Sequence, residues 1–584
     1  PKAQMVDALA KVKAVAPEMY FYGEGWNFGE VADDTRFEQA RQAHLGGTGI
    51  GSFSDRLRDA VRGGSPFDGG DGIRTSQGFG NGAYVLPNEK EGVTEDSARH
   101  LAELTMLGMA GNLKDFILVN REGVPTAGSD VDYNGQKAGY ANDPIEIQNY
   151  VSKHDNQTIF DIIAYKAAND ATLNDRVRMQ GLSLATVLLG QGTAFDQQGS
   201  ELLRSKSFER DSYDSGDWYN KVDYTLQDNN YDVGLPRKDK DGDNYPLIKA
   251  VKDVVGKPGA TEIAQMDSFY KELVSLRQSS PLFTLGTGAE VIKRVDFRNV
   301  GPDQTTGLIV MTIDDGAGQT DLDKTTDGIV VVVNATKDVQ TTGSFKDGNG
   351  ADIALSGYVL SSIQSDLGTA SIGNGATFAD GQFSVPAWSV AVFVKPQGEA
   401  QGTGLPVSKK QDPSTIEPFD VPVYLPGKLI GSWDFTDANK FVFTGADYSY
   451  LLSTDITEEF IAAGAQTVEF KVSDNAWGDN GVNYGACTAG AKLTAGTPLT
   501  LCPGKSTGNI ALDVSKVGTY HFTFKVVKKD SPTLTLTIDE PVGACELLPD
   551  STEAATLGAT KLALRGSHSS WNFSFSFYNS SFHF

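Results

Sequence analysis

Apolar residues open the chain at helical spacing, with Met5, Leu9, Val12 and Val15 on one face of residues 2–16, and the pattern then gives way to an aromatic run, Tyr20-Phe21-Tyr22, ending at Gly23. Short apolar runs return at residues 147–151 and at Ala194-Phe195, and helical periodicity fills 158–167, 176–189 and 263–276. Residues 1 to about 280 therefore predict alternating strands and helices, with long loops over 62–145. That length, less its loops, holds only about half of eight β/α units. The expectation for residues 1–282 is the C-terminal half of a (β/α)8 TIM barrel, in a multidomain chain that continues as all-β sandwich domains.

After Pro281 the texture changes. Residues 308–313, 329–333 and 388–394 are short β-branched runs separated by Gly, Asp and Asn, which predicts an all-β sandwich over 283–396. Residues 397–420 are rich in Gly, Pro, Ser and charge and read as a linker. Clean alternation then resumes at Val468, Phe470 and Val472, at Tyr520, Phe522, Phe524 and Val526, and at Leu534, Leu536 and Ile538. An accessory β-sandwich module is expected over 421–541, a second linker over 542–555, and an incomplete further β module over 556–584, where Lys561-Leu562 and Trp571 echo Lys428-Leu429 and Trp433.

Composition narrows the function classes. The 584 residues carry a formal charge of -25 with no basic stripe, which excludes phosphate backbones as a natural partner. No apolar run reaches the roughly 20 residues of a membrane helix. The three cysteines, Cys487, Cys502 and Cys545, all lie in the last hundred residues; the first two bracket a Gly/Thr-rich stretch that one disulfide outside the cell would close. The acidic excess reads mainly as solvated surface, with Ca2+ as an optional structural ion in its loops and no cofactor required.

Two clusters carry candidate chemistry. Tyr20-Phe21-Tyr22-Gly23-Glu24-Gly25-Trp26 ends an apolar run in one carboxylic acid beside an aromatic ring, and Tyr150-Val151-Ser152-Lys153-His154-Asp155-Asn156 ends another in a carboxylate flanked by an imidazole and an amide. Two carboxylates in different protonation states are what acetal cleavage needs, one to protonate the leaving oxygen and one to relieve charge on the anomeric carbon. Trp433, Trp477 and Trp571 offer ring faces for sugar stacking or serve as sandwich core.

The segments MYFYGEGWNFGEV, YVSKHDNQT and QQGSELLRSKSFERDSYDSGDW, continued by VDFRN, GLIVMTIDD and PAWSVAV, resemble the bacterial type I pullulanases, the α-1,6 debranching branch of the α-amylase superfamily, from residue 1 to about 405. The resemblance implies a retaining glycoside hydrolase acting on α-1,6 links of pullulan, amylopectin and limit dextrins, secreted or held at the cell surface. It makes Glu24 the general acid/base and Asp155 the support of an oxocarbenium-like transition state. His154 would hydrogen-bond the sugar and Trp26 would stack on the leaving glucose; Arg204, Tyr213 and Asp214 would line the donor side, and Asp55 and Arg56 would border the cleft. The family's nucleophilic Asp falls in an Arg-x-Asp motif before the Pro-Lys-Ala-Gln that opens this chain, so these residues alone are expected to be inactive. Arg294-Val295-Asp296 spells the same motif but lies in the β domain and is set aside. The alternative from another class is a non-catalytic α-glucan-binding surface protein.

Overall fold

The computed structural model describes residues 1–540 apart from 91, 348–350, 409–416, 420, 446–447, 464–466, 489 and 528, and beyond them only a two-residue antiparallel ladder, Leu562–Ala563 with Ser574–Phe575. Apart from that ladder, the expected linker 542–555 and module 556–584, with Cys545 and Trp571, lie outside the described residues. The chain divides into two units, Pro1–Pro413 and Ser414–Phe584.

The first unit is built around a four-stranded parallel sheet of β1 (Tyr22–Gly23), β2 (Gly51–Phe53), β3 (Ile147–Asn149) and β4 (Thr193–Ala194), paired in that order. Parallel neighbours need long crossovers, and helices supply them: α1 (Lys2–Lys13) precedes β1, α2 (Asp55–Arg62) and α3 (Glu95–Met109) join β2 to β3, α4 (Ile159–Lys166) and α5 (Leu173–Leu188) join β3 to β4, and α6 (Ala260–Gln278) follows. Threonine hydroxyls stop the first turns from fraying, Thr158 accepting from the Asp161 amide in α4 and Thr172 from the Asp175 amide in α5, each worth about 1 kcal/mol. The stretch 62–145, read as loops, contains the fifteen-residue α3, which packs its buried Leu104, Leu107 and Gly108 face towards α2. Gly108 belongs there because an added Cβ would fall 2.9 Å from the Leu57 side chain.

The β part of this unit is a five-stranded antiparallel sheet, in the order Val359–Leu360, Ser389–Pro396, Thr326–Asn334, Leu308–Asp314, Val295–Phe297, with a second sheet of three strands. Ile329, Val331 and Val333 face the helices in one core while Val330 and Val332 face the second sheet in another. Burial on both faces is why this strand reads as an unbroken apolar run rather than an alternation.

The expected linker 397–420 is corrected in its first part. Residues 397–408 pack along the β sheet: Leu405 is buried and its amide donates to Asp314, the Gly402 amide donates to Asp327, and the Ser408 hydroxyl and amide donate to Asp296. Buried carboxylates take the backbone donors that a free linker would leave to water.

The second unit has a seven-stranded antiparallel sheet and a two-stranded ladder, Thr467–Phe470 with Ile510–Asp513, whose inward residues share one core. Along Gly518–Lys525, Tyr520, Phe522 and Phe524 point into that core while the residues between them are half-buried, the alternation expected of a sheet with one wet face. Cys487, just past the strand Asn483–Ala486, forms a disulfide with Cys502 on the paired strand Leu499–Pro503.

Candidate active site

In a parallel sheet all strands end on the same edge, and β1 and β3 both flank β2. Glu24 follows β1 directly, and Asp155 sits on the loop after β3. Their carboxylate oxygens, with a ring nitrogen of His154, come within 4.8 Å of one another. Both carboxylates are half open to solvent, with side-chain exposures of 50% at Glu24 and 51% at Asp155, so neither is packed in hydrocarbon.

Between the two carboxylates stands a group that was not singled out from sequence. The Lys153 ammonium lies 4.0 Å from Glu24 Oε1 and 3.5 Å from Asp155 Oδ2. It rests on aromatic faces, 4.4 Å from the Phe53 ring centre, 5.4 Å from Trp26 and 5.6 Å from Tyr150, where ring quadrupoles favour a cation. Burial pulls the Lys153 pKa down, with Asp155 and Glu24 working in the opposite sense. His154 keeps its ring largely in solvent, with Nε2 3.5 Å from Asp155 Oδ2.

The loop that carries these groups is held from outside. Arg62, at the end of α2, donates to the carbonyls of Val151 at 2.8 Å and Gln157 at 2.7 Å, bracketing Lys153, His154 and Asp155. Lys206 donates to the His154 carbonyl at 3.3 Å, and the buried Asp161 in turn accepts from the Lys206 amide at 2.8 Å. Burial lowers the Lys206 pKa to about 8.

A cleft of about 520 Å³ opens over this group, walled by Trp26, Phe28, Asp55, Arg58, Phe67, Lys153, Asp155, Arg210 and Asp211. Trp26 and Asp55, both named from the sequence, line this cleft. Arg56 does not: it is 3% exposed, lies under the Tyr133 and Tyr140 rings at 4.6 and 4.9 Å, and donates to Gln42 and the Lys137 carbonyl. The cleft receives Arg58 instead, since residues two apart on a helix point about 200° apart. Arg204, Tyr213 and Asp214 also stand outside the walls of this cleft. Arg204 spends its guanidinium on the carbonyls of Gln198 and Asn220, both at 2.9 Å. Tyr213 stacks with Lys240, and Asp214 pairs with Arg237 at 3.0 Å. Their neighbours Arg210 and Asp211 line the cleft from the same loop; charge in a loop after a barrel-like strand was the only signal for them.

In the Arg294-Val295-Asp296 sequence Arg294 ends the helix Gly288–Arg294 and the other two residues open the strand Val295–Phe297 of the β domain, where buried Asp296 is paired with Arg298 at 3.0 Å. It takes no part in the cleft.

Residues 226–396 match the family model described as "Alpha-1,6-glucosidases, pullulanase-type, C-terminal". The chain is 58% identical over 413 residues to a pullulanase of Klebsiella pneumoniae, an alignment covering 70% of this chain and 37% of that protein. The chain is similar to pullulanases. It is also 42% identical over 352 residues to a chloroplastic pullulanase of Arabidopsis thaliana, covering 57% of this chain and 36% of the relative. Among solved structures, apo pullulanase from Klebsiella pneumoniae superposes with a TM-score of 0.67 at 60% identity, covering 70% of this chain and 43% of that one. The Klebsiella pneumoniae pullulanase complexed with maltotriose gives the same TM-score of 0.67, with 38% of its chain covered. This chain spans a little over a third of the length of the curated pullulanases it matches, 37% and 35% for the two from Klebsiella.

Proposed function

We propose that the first unit carries the C-terminal half of the catalytic (β/α)8 barrel of an α-1,6-glucan debranching hydrolase, with Glu24 as general acid/base and Asp155 as support for the oxocarbenium-like transition state. The observation that carries this reading is the approach of the Glu24 and Asp155 side-chain oxygens to within 4.8 Å at one edge of a parallel sheet, on strands that flank a common neighbour. Active residues collect at that edge in β/α barrels. The aromatic ring needed to hold a pyranose is present in Trp26 on the cleft wall.

Glu24 protonates the glucosidic oxygen as the bond to the anomeric carbon lengthens, and Asp155 offers negative charge to the sugar ring as it becomes cationic. Lys153 fixes both carboxylates in one orientation. Retention needs a further carboxylate about 5 to 5.5 Å from the acid. Asp55 and Asp211 on the cleft wall are each engaged, Asp55 by Arg56 and Gln42 and Asp211 by Lys240, so we assign the nucleophile to a carboxylate outside these 584 residues. No cofactor enters the chemistry, and calcium keeps only a structural role in the reading. Branched α-glucans are the proposed substrates, and the Cys487–Cys502 disulfide supports a location outside the reducing cytosol.

The test is complementation. The chain alone releases no maltotriose from pullulan, and turnover appears when the amino-terminal part of a related pullulanase is supplied in trans. Turnover by the unmixed chain removes the assignment of the nucleophile, and binding of pullulan without turnover in the mixture favours a non-catalytic glucan binder.

A further inference from the structure

Two tryptophans in the second unit pack against each other outside its buried core. Trp477 and Trp433 pack with ring centres 6.1 Å apart and planes inclined by 39°, and Phe435 closes edge-on against Trp477 at 5.0 Å. None of the three belongs to the buried core of that unit. Trp477 is 37% exposed, while Trp433 and Phe435 are half-buried.

The backbone at Trp477 has φ = 53°, in the left-handed region, which a bulky side chain adopts only where its surroundings over-determine it. Asp474 does that. Its buried carboxylate accepts from four backbone amides of one loop, Ala476 and Gly478 at 2.8 Å, Val482 at 3.1 Å and Asn480 at 3.2 Å. Asn483 adds a bond to the Trp477 carbonyl at 3.0 Å. A rigid knot thus presents a strained, solvent-facing indole towards a second indole.

We infer that Trp433 and Trp477 form a binding site for an α-linked glucan chain in the second unit, separate from the cleft of the first. Pyranose faces stack on aromatic rings through their axial C–H groups. Consecutive sugars of an α-1,4 chain are turned relative to one another, so they need two rings set at an angle. A flat β-1,4 chain would instead need coplanar rings. Nucleic-acid bases also stack on indoles, but the charge of -25 opposes their backbone. The choice of glucan rests on the function proposed for the first unit; the geometry of the two indoles does not.

Affinity electrophoresis of the full chain through gels containing amylopectin, with maltoheptaose and cellohexaose as soluble competitors, tests the site. Retardation is expected, maltoheptaose should relieve it and cellohexaose should not. Trp477→Ala and, outside the Asp474 knot, Trp433→Ala should each weaken it at least about tenfold, as for a buried-face aromatic anchor. Trp26→Ala should leave most of it in place. Retardation lost on Trp26→Ala but unchanged by both second-unit variants overturns the inference while the reading of the first unit stands. Equal competition by cellohexaose, or no retardation of the unsubstituted chain, overturns it as well, and the complementation assay then judges the first unit by itself. Should Trp477→Ala lose its fold, the Trp433→Ala result decides.

Discussion

The Lys153 ammonium stands 4.0 Å from the Glu24 carboxylate, reaching across the sheet edge from the loop after β3 to the residue after β1. With the Glu24 side chain half exposed, a unit charge at that distance is worth between about 1 kcal/mol, as in water, and about 4 kcal/mol, as beside a protein surface, and the same ammonium serves Asp155 at 3.5 Å. Lys153→Met keeps the stem against Phe53 and Trp26 and removes only the charge. In the complemented enzyme it should lower kcat by about tenfold to a hundredfold, with KM changed far less; stopped assays on pullulan check it, and an unchanged kcat would remove Lys153 from the orientation of the acid.

Glu24 and Asp155 are assigned different work, and a leaving group separates them. Glu24→Gln cannot donate a proton, so turnover of pullulan should fall by about 10² to 10⁴. An α-glucosyl fluoride departs without protonation, and on it the Glu24→Gln enzyme should recover most of its rate. Asp155→Asn weakens support of the cationic ring, which every leaving group needs, and should stay slow on both substrates. Equal losses on fluoride for the two variants would falsify the division of roles.

Much of this site was legible because its chemistry sits in contiguous clusters. An aromatic run ending in Gly-Glu-Gly-Trp, and another run leading into Lys-His-Asp-Asn, mark strand ends whatever the tertiary packing. What escaped was decided by three-dimensional context. The segment Asp55-Arg56-Leu57-Arg58-Asp59-Ala60-Val61-Arg62 is α2, yet its three arginines are buried, so its polarity hides an interior helix. Sequence therefore could not tell that Arg56 turns under two tyrosines while Arg58 faces the cleft and Arg62 grips the Asp155 loop. Residues 397–408 read as a linker because their composition is that of one; the acceptors Asp296, Asp314 and Asp327 that hold them lie about 75 to 112 positions away in the chain.

Asp196, just beyond β4, gives the first unit a pH signature. Burial raises its carboxyl pKa from 3.8 to about 8. Between those values the folded state keeps a proton that the unfolded chain has released, so the stabilising contribution is full below about pH 4 and is lost as pH rises towards about 8. Residue 196 as a whole is half-buried, with Oδ2 enclosed and Oδ1 accepting from the Gln197 amide at 2.9 Å, so the effect is set at about 1–2 kcal/mol rather than the full shift. Asp196→Asn mimics the protonated form. Urea unfolding should find it equal to the parent near pH 4 and more stable by that amount at pH 8; parallel profiles across the range would show that Asp196 is ionised in the folded protein.

The Cys487–Cys502 disulfide ties residue 487, just past the strand Asn483–Ala486, to the paired strand Leu499–Pro503, across a sequence separation of 15. Closing a loop of that length restricts the unfolded chain by about 3 kcal/mol. The two units have separate cores, so the loss on Cys487→Ser with Cys502→Ser should be confined to the second. Calorimetry of the double variant should therefore move one transition down and leave the other unshifted. Reduction with dithiothreitol should reproduce the shift in the parent and do nothing further in the variant. A displacement of both transitions would mean that the units unfold as one, and the assignment of the disulfide to the second unit alone would fall.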